Sequence, residues 1–230
     1  MGKPIYFVGG SKGGVGKSCV CMALLDFLIV DGESSLLIEA DTANPDVWKA
    51  YNAEVESERV DLDAVNGWID LANFIEARPE SCVVINTPAR NNRGVTLYGE
   101  TLSSTLKELG RELVVFWVIN RQRDSLELLA EFMASMPDAT IHVVRNLHHG
   151  EERKFELFNN SKIRTTLQKM HTGTSLNFPD LADRAADKLH SERMTVAKAG
   201  ADSPIGNRVE LERWRRMVRA MFAEVIHANV

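Results

Sequence analysis

The sequence predicts an α/β fold: a doubly wound, mostly parallel β-sheet flanked by helices on both faces. Short apolar runs at Ile5–Val8, Ser35–Glu39, Cys82–Asn86, Leu113–Asn120 and Thr140–Arg145 are rich in β-branched residues and do not alternate. Strands buried on both faces of a parallel sheet read this way. Helical stretches separate the runs, which is the order of βαβ units. A glycine-rich turn, Gly9-Gly10-Ser11-Lys12-Gly13-Gly14-Val15-Gly16-Lys17-Ser18-Cys19, joins the first run to the first helix. In such a sheet ligands sit at the carboxyl ends of the strands, and this turn falls at one.

Taken in order, the first apolar run leads through that turn into a helix over Ser18–Val30. The strand at Ser35–Glu39 follows, then a helix over roughly Asp63–Glu76, for which Asp61–Asp63 offer N-caps. The strand at Cys82–Asn86 precedes a helix over Leu97–Leu109. The strand at Leu113–Asn120 precedes a helix over Ser125–Met133, with Asp124-Ser125 as its cap. After Arg145 the pattern loosens into a polar loop, 146–153, a helix at Ser161–Met170, a short strand at Thr174–Phe178 and a helix at Pro179–His190 opened by proline. A last helix, Arg208–Ala228, carries Leu211, Trp214, Val218, Met221, Phe222 and Val225 on one stripe. The chain reads as one domain over 1–230, with 207–230 as its C-terminal amphipathic helix.

Composition bounds the function. With 230 residues, 44% hydrophobic and 26% charged, the chain suits a globular domain with one sizeable core. A formal charge of −5 excludes a polycation, so contact with nucleic acid or lipid requires a local patch. The three cysteines, Cys19, Cys21 and Cys82, have no metal-binding spacing and read as reduced, buried thiols. No basic start followed by a long apolar segment and no membrane-spanning run is present, and the reading is a cytoplasmic protein.

Strand, glycine-rich turn and helix in that order form a phosphate-binding loop. The backbone of Gly13, Gly14, Val15, Gly16, Lys17, Ser18 and Cys19 supplies N–H groups to an anion, and the start of the helix adds its partial positive charge. Lys17 reaches the β- and γ-phosphates, and the Ser18 hydroxyl ligates Mg²⁺. At the end of the next strand Glu39 and Asp41, two apart, are expected on one side, one serving Mg²⁺ through water and the other positioning the attacking water. The usual loop pattern has glycine five residues before Gly16. Here that residue is Ser11, and a second lysine, Lys12, stands inside the loop.

Lys12-Gly13-Gly14-Val15-Gly16-Lys17-Ser18, followed by an acid-x-Asp at the end of the next strand, resembles the deviant Walker A ATPases of the ParA and MinD group. The resemblance extends in order and spacing through about residue 150. It implies ATP and Mg²⁺ as cofactors and an ATP-sandwich homodimer in which Lys12 touches the partner's nucleotide. It assigns water orientation to Asp41 and gives Asn146 a role in reading adenine, although asparagine after a strand is also a common turn residue. Glu39 stands where the family usually has aspartate. Asn86 stands where the family has the aspartate of its Asp-x-Pro, so it is the fourth member of a metal set with Ser18, Glu39 and Asp41. An amide there brings no charge, which weakens the metal site by about a kcal/mol or more. Turnover is then expected to be slow or absent.

The phrases at 66–71, 84–90 and 117–124 are similar to ParA-like proteins of conjugative plasmids, of the StbB or TraL type. The resemblance implies an ATP-dependent switch in plasmid partition, positioning or conjugative transfer, with DNA or a DNA-binding adaptor as partner. Two other readings stay open: an ATP-dependent ligase of the same fold, similar to dethiobiotin synthetase, and a nucleotide-binding module without turnover. The C-terminal helix carries Arg208, Arg213, Arg215, Arg216 and Arg219, which suit a membrane surface or nucleic acid. Its glutamates and the width of its apolar stripe favour packing on its own domain. His148-His149 with Glu151-Glu152 lacks metal-binding spacing and reads as a solvated loop. Arg90, Arg93, Arg121 and Arg123 read as surface arginines near the nucleotide face.

Overall fold

A computed structural model describes residues 2–10, 13–89, 92–170 and 173–227, without the side chains of 92, 93 and 170. The element order is β1 (Ile5–Gly10), α1 (Lys17–Val30), β2 (Ser35–Glu39), α2 (Asp46–Tyr51), β3 (Glu56–Arg59), α3 (Val65–Glu76), β4 (Cys82–Asn86) and α4 (Asn92–Glu108). It continues with β5 (Leu113–Ile119), α5 (Arg123–Ser135), β6 (Thr140–Asn146), α6 (Glu156–Asn159), α7 (Lys162–Met170), β7 (Ser175–Phe178), α8 (Asp183–His190), α9 (Val196–Ala201) and α10 (Ile205–Ile226). The seven strands form one sheet in the order β3-β2-β4-β1-β5-β6-β7, with every pair parallel.

The sheet divides two apolar layers, and strand alternation decides which residue goes to which. Tyr6 and Val8 of β1 face the layer built with α1 and α10, whereas Ile5 and Phe7 face the layer built with α3, α4 and α5. Both faces of the central strands are therefore apolar, and that is why the sequence shows runs instead of alternation. Because β1 lies between β4 and β5, connections leave it toward both halves of the sheet. The crevice at its carboxyl end is the switch point where doubly wound folds hold ligands.

The structure adds elements that the apolar pattern does not show. β3 is a charged edge strand, Glu-Ser-Glu-Arg, with no apolar residue to mark it. Charge on an edge strand also discourages pairing with another chain. The N-caps also differ from expectation. α3 is capped at Ala64 and α5 at Gln122, while Asp61 accepts from the Asp63 N–H at 2.9 Å in the turn before α3.

The C-terminal helix packs on its own chain. All six residues of its stripe are buried, and the Trp214 indole donates to the Pro179 carbonyl at 2.9 Å. Two of its arginines turn inward to α1. Arg215 donates twice to Asp26, at 3.0 and 2.9 Å, and Arg219 donates to Asp31 at 2.7 Å. Burial raises the Asp26 carboxyl above its ordinary value, while the Arg215 guanidinium pulls it down. No helix among the described residues is long and apolar enough to cross a membrane.

The Asp26–Arg215 pair gives a direct test of how α10 is held. Arg215→Leu leaves a buried carboxylate without its donors and is expected to cost about 3 kcal/mol. The double substitution Asp26→Leu with Arg215→Leu should recover most of that loss in urea unfolding. A double variant as unstable as the single one would contradict this account.

Candidate nucleotide site

The site begins with a backbone requirement. Gly16 has φ 103° and Gly14 has φ 80°, torsions that glycine adopts without strain. At Gly16 space is also limiting, since an added Cβ would stand 2.3 Å from Asn146 Nδ2. Gly16 is the N-cap of α1, so Lys17 is its first residue and the free N–H groups of that first turn face the crevice beyond β1. No acid occupies that turn to compete for them.

These residues line a cleft of about 590 Å³, within the range usual for small-molecule sites. Gly13, Gly14, Gly16, Lys17, Ser18 and Cys19 form one wall, and Asp41 and Asn146 lie on the same cleft. Lys17 is buried, and burial lowers its ammonium below the ordinary value while Asp41 works in the other direction. A desolvated cation beside free amide donors suits a polyphosphate. Val15 is fully buried and anchors the loop in the core instead of lining the cleft. Burial pushes the Cys19 thiol up to about 12, which leaves it neutral. Ser11 and Lys12 lie outside the described residues, as does Arg90.

Asn146 is tied to protein on both sides. Its Nδ2 donates to the Val15 carbonyl at 2.9 Å, and its Oδ1 accepts from the His148 N–H at 3.1 Å. The side chain thus fastens the loop to the end of β6. It still lines the cleft with one N–H and one oxygen lone pair uncommitted.

The expected pair of acids on one side is corrected. β2 ends at Glu39, and the chain turns at once, with the Thr42 N–H on the Ala40 carbonyl at 3.0 Å, so the two-residue alternation stops. Asp41 reaches the cleft, where it also accepts from the Asn44 N–H at 3.0 Å. Glu39 is fully buried behind the cleft. It accepts from the Asp41 N–H at 3.0 Å, the Trp48 N–H at 3.2 Å and Asn86 Nδ2 at 2.8 Å.

Asn86 is the register partner of Glu39 on the neighbouring strand and is itself fully buried. The buried pair therefore carries one carboxylate, at Glu39. An aspartate at position 86 would place a second carboxylate at hydrogen-bonding distance from the first. Asn86 Oδ1 is buried and has no hydrogen-bond partner among the described residues. Burial pushes Glu39 up to about 7 despite its three donors.

The far wall holds residues that local patterns did not single out. Asp183, Ala186, Asp187 and His190 recur at helical spacing along α8 and line the cleft with Asp180; His148, expected in a solvated loop, lines it as well. His148 Nδ1 lies 3.1 Å from Asp180 Oδ1. His149 sits against the phosphate loop: burial and His148 lower its imidazole, while the Val15 and Gly14 backbone works the other way. The spacing on α8 was visible in the sequence, but nothing there showed which surface the helix would face. Among the described residues no cluster of three or more His, Cys, Asp or Glu side chains could hold a metal by itself. A Mg²⁺ held largely by phosphate and water needs few protein ligands. The Ser18 hydroxyl and Asp41, which line the cleft, fit that demand; the orphaned Asn86 oxygen lies buried behind it.

Residues 6–152 match the CobQ/CobB/MinD/ParA nucleotide binding domain. Over 99% of this chain and 100% of the relative, the sequence is 58% identical to Protein MobD of Acidithiobacillus ferrooxidans. Among solved structures, the septum site-determining protein MinD of Pyrococcus horikoshii, complexed with Mg-ADP, aligns with TM-score 0.58 at 14% identity, covering 99% of this chain and 97% of that one. The MinD cell division protein of Aquifex aeolicus aligns with TM-score 0.56 at 13% identity over 97% and 98%. The two structural likenesses bear on the fold.

The raised Glu39 carboxyl makes a signed prediction for the metal-free protein. Its folded value of about 7 exceeds the ordinary 4.5, so the folded state holds the extra proton. The stability this contributes is complete below the unfolded value and is lost as pH rises through the folded one. Thermal unfolding between pH 5 and 8 should show the wild type losing up to about 3 kcal/mol relative to Glu39→Gln. Parallel pH profiles for the two proteins would contradict the assignment.

Proposed function

The chain belongs to the CobQ/CobB/MinD/ParA nucleotide-binding family, and from that premise we propose that it is an ATP-operated switch with slow hydrolysis. The observation that carries the reading is the convergence of the loop amides, buried Lys17, Ser18 and Asp41 on one cleft at the sheet's switch point.

In this reading the N–H groups of 13–19 hold the phosphates, and Lys17 neutralises the β- and γ-oxygens. A bound Mg²⁺ would supply positive charge to offset those oxygens. Ser18 would hold it directly, and Asp41 and Asn86 would accept from waters in its shell. Asp41, the member of the Glu39–Asp41 pair that reaches the cleft beside the loop, orients the attacking water. Glu39 fixes Asn86 and the Asp41 backbone, so its role is positioning. Slow turnover follows from Asn86, an amide that can accept from water but adds no charge where phosphate charge must be balanced. The acidic far wall repels a polyanion and confines phosphate to the loop end.

The reading extends to an ATP-closed homodimer joined across Lys12, acting in plasmid partition, positioning or conjugative transfer through DNA or a DNA-binding adaptor. That extension rests on the loop sequence and on the phrases at 66–71, 84–90 and 117–124. The cytoplasm is the setting it requires.

Lys17→Ala is expected to weaken ATP binding by at least about tenfold in calorimetry, since it removes a buried cation from the phosphates. In sedimentation, saturating ATP-Mg²⁺ should shift the wild type to dimer, and Lys12→Ala should stay monomeric while still binding ATP. A wild type that remains a monomer under saturating ATP-Mg²⁺ would sink the switch reading. Phosphate release compared between wild type and Asn86→Asp should differ, and equal rates would remove Asn86 as the cause of slow turnover.

A further inference from the structure

At the other end of β1 the amino edge of the sheet encloses a second cavity, of about 220 Å³, remote from the phosphate loop. Tyr6 of β1, Phe27 near the end of α1, Val114 of β5, and Val225 and Ile226 of α10 supply its apolar lining. The charged groups at its mouth are engaged with each other. Lys3 pairs with Glu33, and Asp31 pairs with Arg219 and His227, at 2.7 and 3.0 Å. Glu112, the other acid on the lining, is exposed to solvent. The cavity therefore calls for no ionic ligand.

One polar group on its lining has no protein partner among the described residues. Tyr6 is 3% exposed, and its hydroxyl makes no hydrogen bond to any described residue. Strand alternation fixes the ring in the layer between the sheet and α10, where it meets Phe116 at 6.0 Å between centroids. The hydroxyl opens on the cavity with no protein partner, so its donor is available to a ligand acceptor. Burial pushes the phenol well above its ordinary value, and the Cys82 thiol beside it up to about 11. Both remain neutral donors at physiological pH. A cavity of about 150 Å³ suffices for benzene, so this one admits a ring with a short substituent.

We propose that this cavity is a second ligand site, taking an uncharged molecule the size of a substituted benzene whose carbonyl or ether oxygen accepts from the Tyr6 hydroxyl. Its apolar body would lie among Phe27, Val114 and Val225, and its acceptor at the end where Tyr6 meets Cys82. A carboxylate or phosphate ligand is disfavoured by Glu33, Asp31 and Glu112 around the mouth.

Acetophenone and ethylbenzene test this, since they are nearly equal in size and only the first carries an acceptor. Each is titrated into the full chain and followed by amide and methyl NMR shifts. The expected result is saturable shifts at Phe27, Val114 and Val225, with acetophenone tighter by about three- to tenfold. Tyr6→Phe keeps the ring and should abolish that preference while leaving ethylbenzene binding intact. Val225→Phe, which fills the apolar end, should weaken both probes. Shifts that do not saturate, shifts centred on residues 13–19, or a preference for acetophenone that survives Tyr6→Phe would overturn the proposal.

Discussion

The contact between Asn146 and the phosphate loop is the constraint on which the site depends. Asn146 Nδ2 reaches the Val15 carbonyl only because Gly16, in its left-handed torsion, presents no side chain to it. That approach fixes where α1 begins, and the start of α1 fixes Lys17 and Ser18 on the cleft. The same helix is held along its length by α10, through Asp26 with Arg215 and Asp31 with Arg219. Val15 and α1 are therefore tied to β6 at one end and to the C-terminal helix at the other. A phosphate site gains when its donors are held before the ligand arrives.

Behind the cleft, Glu39 and Asn86 form a second constraint. They are register partners on adjacent strands, both fully buried, and joined by the Asn86 Nδ2–Glu39 bond. Two carboxylates in this buried pair would repel, and the amide at 86 instead donates to the acid at 39. The pair carries one carboxylate, and it lies buried behind the cleft. Asn86 keeps an oxygen without a partner, which is the feature that makes it a candidate acceptor for a metal-bound water.

Much of the fold was legible in the sequence because two-faced burial leaves long apolar strands, and β1, β2, β4, β5 and β6 were all marked this way. β3 was not, since an edge strand reading Glu-Ser-Glu-Arg carries no burial signal. The short helices α2, α6 and α9 hold too few turns for a periodic pattern. In the site, the loop was legible because its chemistry is local in sequence. The Glu39–Asn86 bond spans 47 residues and the Asn146–Val15 bond spans 131. No local pattern shows either contact. Glu39 and Asp41 were expected on one side by strand alternation, and the turn immediately after β2 is what separates them. The C-terminal stripe was read correctly as a packing surface, because its six apolar residues span the width of a helix face seated on a sheet layer.

The central claim is that this loop holds ATP with Asn86, not a carboxylate, facing the metal's water shell. A crystal structure of the full chain with a non-hydrolysable ATP analogue and Mg²⁺ tests it most directly. The account predicts β- and γ-phosphates on the amides of residues 13–18, Lys17 Nζ on their oxygens, Ser18 on the metal, and a metal-bound water donating to Asn86 Oδ1. A nucleotide seated elsewhere, or a metal bound by Glu39 directly with Asn86 turned away, would contradict it.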